Sequence, residues 1–224
     1  MTGGAIRRLA VIVCAAVLTA VSLVTAGLGH ALTPWFAGQV GDATQVISVV
    51  GVGGWRAKMD LYEKGADGWT AVAAGINANV GSDGIVPASH EGSNATPIGV
   101  YALPFAFGTA PNPGTGLQYV QTNSDYWWDG DSKSPTYNTM QICKAGQCRF
   151  DTGASSGTEN LDVSLYRHAV VIGVNPQRTP GAGSAFFLHI TDGGPTAGCV
   201  AIDDDTLVKV MRWLKPGAVM AISK

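Results

Sequence analysis

The sequence predicts an all-β, turn-rich fold, and three observations carry that expectation. Glycine supplies 30 of the 224 residues. Charged residues make up only 13% of the chain. The apolar residues fall in many short runs, and a single segment has convincing helical spacing. Short strands joined by tight turns fit this composition.

The elements follow in chain order. Arg7 and Arg8 precede an uncharged stretch from Leu9 to Leu28, and Ala26 and Ala31 each close a small-residue motif suited to cleavage. Residues 1–31 therefore read as a signal peptide or an N-terminal membrane anchor, since about 20 apolar residues also suffice to span a bilayer. Both fates place the remainder outside the cytoplasm, with membrane contact only through an uncleaved segment. Without residues 1–31 the formal charge is −4, which leaves no electrostatic footprint for nucleic acid. Residues 32–43 read as a short linker to one domain over 44–224, long enough for one sizeable core.

Gln45–Val52 and Arg56–Glu63 alternate or run apolar as strands do, and Gly65-Ala-Asp-Gly68 turns the chain into a hairpin partner over Trp69–Ile76. Residues 81–116 are rich in Gly and Pro, with apolar islands at Ile98–Leu103 and Phe105–Phe107, and read as loops and short strands. Tyr166–Val174 and Ser184–Ile190 read as core strands. One helix follows: Asp203 to Asp205 supply cap and first-turn acids, Leu207, Val208, Met211 and Leu214 fall at helical spacing, and Pro216-Gly217 ends it. Ala218–Ser223 then reads as a closing strand.

Cysteine arithmetic singles out one residue. Beyond the N-terminal segment stand Cys143, Cys148 and Cys199. Cys143-Lys-Ala-Gly-Gln-Cys148 flanks a four-residue turn containing Gly146, and a local disulfide is the preferred pairing in an oxidising compartment. The alternatives are two free thiols, or a bridge to Cys199. With the local bridge, Cys199 has no partner and stands as a candidate nucleophile. It follows Gly198, whose lack of a side chain lets nearby amides approach an oxyanion, and it precedes the helix, whose dipole would favour a thiolate. His189, ten residues upstream at the end of an apolar strand, is the candidate base, the alternative being a hydrogen-bonded core histidine. Trp127 and Trp128, beside Asp125 and Asp129, suit either a glycan or peptide contact or core packing. No metal-binding motif occurs, and the reaction calls for no cofactor.

Ordered motifs extend this reading. Glu91-Gly-Ser-Asn-Ala-Thr96-Pro97-Ile98-Gly99, Phe105-Ala-Phe107-Gly108, Tyr126-Trp127-Trp128-Asp129 and Tyr137-Asn138 come first. Val170-Val-Ile-Gly-Val-Asn175, Gly181-Ala-Gly183-Ser184-Ala-Phe-Phe-Leu-His189 and Thr196-Ala197-Gly198-Cys199-Val200 follow. Over residues 45–223 the chain resembles L,D-transpeptidase catalytic domains, in a form with Thr-Ala-Gly-Cys where many members carry Ser-His-Gly-Cys or Ser-Arg-Gly-Cys. The resemblance implies a mixed β-sandwich with one short helix after the cysteine. It also implies a Cys199 thioester with peptidoglycan stem peptides, release of D-alanine, and either 3→3 crosslinking or hydrolysis. His189 would act as base, amides at Gly198 would hold the oxyanion, and Thr196, Trp127, Tyr137 and Asn138 would contact substrate. Carbapenems would react at the same sulfur. The rival from another class is a non-catalytic peptidoglycan-binding module on the same scaffold.

Overall fold

A computed structural model describes Met1 and residues 33–224. Residues 33–224 lie in one compact unit. The proposed signal or anchor over 1–31 lies outside the described residues. Among the described residues no helix is long and apolar enough to cross a membrane.

Three long strands open the domain: β1 (Gln45–Gly53), β2 (Arg56–Gly65) and β3 (Gly68–Asn79). They pair antiparallel in sequence order, with Ile47 opposite Leu61 and Lys58 opposite Asn77. In β2 the alternation predicted from sequence is visible as burial: Ala57, Met59 and Leu61 face the core while Arg56 and Lys58 face solvent. The turn between β2 and β3 uses Gly68 at φ 106°, a conformation that favours glycine.

Short strands follow: β4 (Ile85–Val86), β5 (Thr96–Pro97), β6 (Gly99–Ala102), β7 (Ala106–Gly108), β8 (Tyr119–Gln121), β9 (Tyr126–Asp129), β10 (Thr139–Ile142) and β11 (Glu159–Asn160). The chain then forms β12 (Ala169–Val171), β13 (Phe187–Ile190), β14 (Val200–Ile202), α1 (Asp204–Trp213) and β15 (Val219–Ser223). The main sheet runs β6-β15-β1-β2-β3-β14-β13-β12-β7-β8, and β10-β9-β11 forms a separate three-stranded sheet. Its two halves meet at one pair, Asn79 opposite Ala201, and face each other as a mixed β-sandwich. Ile47, Val49 and Met59 from one half pack with Val170, Leu188 and Ile202 from the other. The sandwich expected from the family resemblance is thus the fold.

The helix is capped as its sequence foretold: Asp203 accepts from the Thr206 amide at 2.9 Å. Its buried stripe is Leu207, Val210, Met211 and Leu214, with Val210 replacing the expected Val208. The residues expected to form a linker instead pack on the domain. Phe36 is fully buried, its ring 5.1 Å from Tyr62 and 5.3 Å from Trp69. The expected strand over Tyr166–Val174 is shorter, because Ser164–Tyr166 forms a 3-10 turn in which the Tyr166 amide bonds Val163 O. Cys143 and Cys148 form the expected disulfide, with Cα atoms 5.3 Å apart, though it closes a loop beyond β10 and not a paired hairpin.

Candidate active site

The site grows from one parallel strand pair. In β13 and β14, Leu188 stands opposite Val200 and His189 opposite Ala201. Side chains alternate between faces, so Leu188 and Val200 enter the sandwich core while Phe187, His189, Cys199 and Ala201 leave from the other face. On that face an aromatic cluster forms the floor. The Phe187 ring lies 5.0 Å from Trp128, 5.0 Å from Phe107 and 5.4 Å from Tyr166. Cys199, only 7% exposed, sits in this cluster.

The backbone holds the thiol. The Phe187 amide donates to Cys199 Sγ at 3.3 Å, and the thiol donates to Ala185 O at 3.4 Å. Ala185 has φ 57°, a left-handed conformation that costs a non-glycine residue about 1 kcal/mol. Asn138 braces it, accepting from the Ala185 amide at 3.4 Å. Before the thiol, Gly198 has φ 135°, and a Cβ there would lie 3.0 Å from Ala95 O and 3.0 Å from the Phe186 ring. Only glycine fits.

His189 is 5% exposed, and its Nδ1 lies 2.8 Å from Ile190 O. A carbonyl only accepts, so Nδ1 carries the proton and Nε2 is left as a base. Its ring packs edge-on against Tyr166, 5.4 Å between centroids. Burial pushes the His189 pKa below its ordinary value and the Cys199 pKa well above its own. The resting pair is therefore a neutral imidazole and a neutral thiol. They do not hydrogen-bond each other, although both line the same cavity of about 190 Å³.

Cys199 also lines a second cavity, of about 270 Å³. The two cavities share Cys199, Ala197 and Glu159. Glu159 lies on β11 opposite Trp128, and its Oε2 accepts from the Tyr166 hydroxyl. Burial raises its pKa to about 7.

The helix offers the thiol no help. β14 separates them and carries the chain about 13 Å onward to Asp203 at about 3.3 Å per residue, whereas a helix terminus acts over roughly its own first turn. That end of α1 instead holds His168, whose Nδ1 lies 2.9 Å from Asp204 Oδ1.

The remaining residues singled out from sequence take varied places. Thr196 lines the smaller cavity; its hydroxyl donates to Cys199 O at 2.7 Å and accepts from the Gly198 amide at 3.1 Å. Trp127 donates to Cys143 O at 3.0 Å, bracing the disulfide loop. Tyr137 is buried and donates to Glu91 Oε1. Asn138 accepts from Trp128 Nε1 at 2.9 Å and donates to Val174 O and Asn175 O. None of these last three lines either cavity at the sulfur. Sequence reasoning missed Thr96 as a latch: its buried hydroxyl donates to Gly198 O at 2.7 Å and accepts from the Gly81 amide at 2.9 Å. It also missed Glu159, Tyr166 and Ala185. Thr96 lies within the Glu91–Gly99 motif, and that placement is its signal in the sequence.

A thiol behind an obligate glycine, with an imidazole on the next strand, makes this a β-sandwich domain organised around a cysteine–histidine pair. Residues 56–222 match the YkuD family, the L,D-transpeptidase catalytic domain, and the chain belongs to that family. The family functions in peptidoglycan crosslinking. No curated protein and no solved structure gives a match.

Proposed function

We propose that this chain is an exported cysteine acyltransferase acting on peptidoglycan stem peptides. The observation that carries the reading is that Cys199 lines two cavities, one of which is also lined by His189, whose Nε2 is left to take a proton. Such an arrangement suits a transferase, in which acyl donor and acceptor approach one sulfur in turn.

The chemistry follows from the resting state. The thiol turns from Ala185 O to His189 Nε2 when substrate fills the site. Sulfur attacks the carbonyl that joins the third stem residue to the terminal D-alanine, and its proton passes to Nε2. As the C–N bond breaks, His189 returns that proton to the departing amine, leaving a thioester on Cys199. Amides at Gly198 and Cys199 hold the oxyanion; the Gly198 amide must first exchange its bond to Thr196. An amine of a second stem then takes the acyl group as a 3→3 crosslink, or water takes it. Thr196 contacts substrate through its place on the smaller cavity.

Intact-mass measurement on residues 32–224 incubated with a carbapenem tests the reading. Wild type is expected to gain one adduct and Cys199→Ala none, and wild type is expected to release D-alanine from disaccharide-tetrapeptide. A protein that forms no adduct and turns over no tetrapeptide is instead the binding module. Secretion is read from the N-terminal segment and the Cys143–Cys148 disulfide.

A further inference from the structure

The larger cavity beside Cys199 carries two carboxylates and no lysine or arginine. Glu91 and Glu159 both line it. Each holds one oxygen against a tyrosine, Glu91 Oε1 with Tyr137 and Glu159 Oε2 with Tyr166. Among the described residues neither carboxylate pairs with a cation; Arg167 and the His168 ring lie instead against Asp204. Glu159 Oε1 makes no hydrogen bond to the described residues, and Glu159 lines both cavities. Gly157 leaves room for this arrangement: its φ is 79°, and a Cβ would come within 3.0 Å of Glu91 Oε2.

Two partly enclosed carboxylates without a counter-ion are costly unless a ligand supplies the charge. The reaction brings such a ligand. An amine acceptor arrives as an alkylammonium and leaves as an amide nitrogen with one hydrogen. It therefore sheds two protons, while the departing Cys199 sulfur takes back only one. His189 Nε2 can relay that one. The other needs a second base.

We propose that Glu159, with Glu91 beside it, binds the ammonium group of the acyl acceptor and takes its first proton. This rests on the acyl-transfer reading above. The ammonium gives a proton to Glu159 Oε1 and the neutral amine attacks the thioester carbonyl, forming the C–N bond. The nitrogen's second proton passes to His189 Nε2. The C–S bond breaks, and His189 returns that proton to sulfur. Glu159 then loses its proton to water, which balances the proton that the released D-alanine amine takes up after acylation. The groups facing Glu159 are Glu91, Tyr166, Cys199 and, through the two cavities, His90, His189 and Asp192. Desolvation and the Glu91 charge hold Glu159 at about 7, the range in which a carboxylate both gains and loses protons at neutral pH. Water as acceptor needs neither service, so Glu159 selects amine capture over hydrolysis.

The test follows the fate of the thioester formed from disaccharide-tetrapeptide at pH 7. Two probe acceptors are compared: propylamine, cationic at that pH, and trifluoroethylamine, neutral there. In wild type, propylamine is expected to trap the acyl group at about tenfold lower concentration than trifluoroethylamine, the scale of one charge-assisted hydrogen bond. In Glu159→Gln the preference reverses, and the ratio of aminolysis to hydrolysis with propylamine falls about tenfold. The ratio is internal to each protein, so a general loss of turnover does not mimic it. Should Glu159→Gln not fold, the wild-type preference alone decides. A thioester captured without preference for propylamine, or an unchanged ratio in the variant, overturns the acceptor site and leaves the acyl-transfer reading intact. Absence of any wild-type thioester overturns both.

Discussion

The Cys199 thiol donates to Ala185 O at 3.4 Å, while His189 stands on the adjacent parallel strand opposite Ala201, two residues along, without a bond to the thiol. In the proposed mechanism the thiol is stored neutral and buried, and it needs a proton acceptor only when substrate displaces it from the carbonyl. A buried thiolate would be costly here, since burial and the Glu159 charge both oppose it.

Acylation is therefore expected to need neutral His189. Because burial lowers the His189 pKa below 6.5, the rate of carbapenem acylation should be flat at and above pH 7 and fall on acidification below pH 6.5. Stopped-flow fluorescence from about pH 4 to about pH 10 measures it. A rate that keeps climbing above pH 8 would show that free thiolate, and not His189, sets the reaction.

Asn138 connects the nucleophile to the rest of the domain by holding the Ala185 amide, the Trp128 indole and two carbonyls beyond β12. Asn138→Ala removes all four bonds and also leaves alanine at φ 57°. The expected cost is about 2–4 kcal/mol in urea unfolding, together with slower acylation as Ala185 loosens. A variant of wild-type stability would mean that solvent replaces these bonds.

Glu159 should impose a pH-dependent burden on the fold. Its pKa rises from 4.5 to about 7, so the native state binds the extra proton, and stability is lost through this group as pH increases across that window. Glu159→Gln is accordingly expected to be more stable than wild type at pH 8, with the difference vanishing near pH 4. Thermal melts of both proteins at the two pH values check the sign, and a difference independent of pH contradicts it.

The Cys143–Cys148 bridge closes a small loop, so its contribution is modest. Replacing both cysteines by serine is expected to lower stability by about 2 kcal/mol in urea titration. Carbapenem acylation should persist, because neither residue lines the cavities at Cys199. Loss of acylation would show that the loop acts on the site through Trp127 and β9.

What sequence legibly carried was local. The alternation of β2, the Gly65–Gly68 turn, the Asp203 cap and the spacing of the Cys143–Cys148 pair are each decided within a few residues by pleat, turn and hydrogen-bond geometry. The core edges were less legible: Phe36 looked like linker because its partners, Tyr62 and Trp69, lie more than 25 positions away.

The site divides in the same way. Arithmetic, Gly198 and the family motifs identified Cys199 and His189 from the chain alone. Glu159, in Gly-Thr-Glu-Asn, reads as an ordinary surface acid, and nothing near it in sequence says otherwise. It reaches the sulfur only because β11 pairs with β9 and turns its side chain toward Tyr166, while β13 and β14 bring Cys199 to the same cavity. Local periodicity is written in neighbouring residues, so the sequence by itself determined the long strands, the helix and the choice of Cys199 as the proposed nucleophile. Which carboxylate faces that nucleophile is set by the closure of sheets whose partners lie tens of residues apart, and only the tertiary structure decided it.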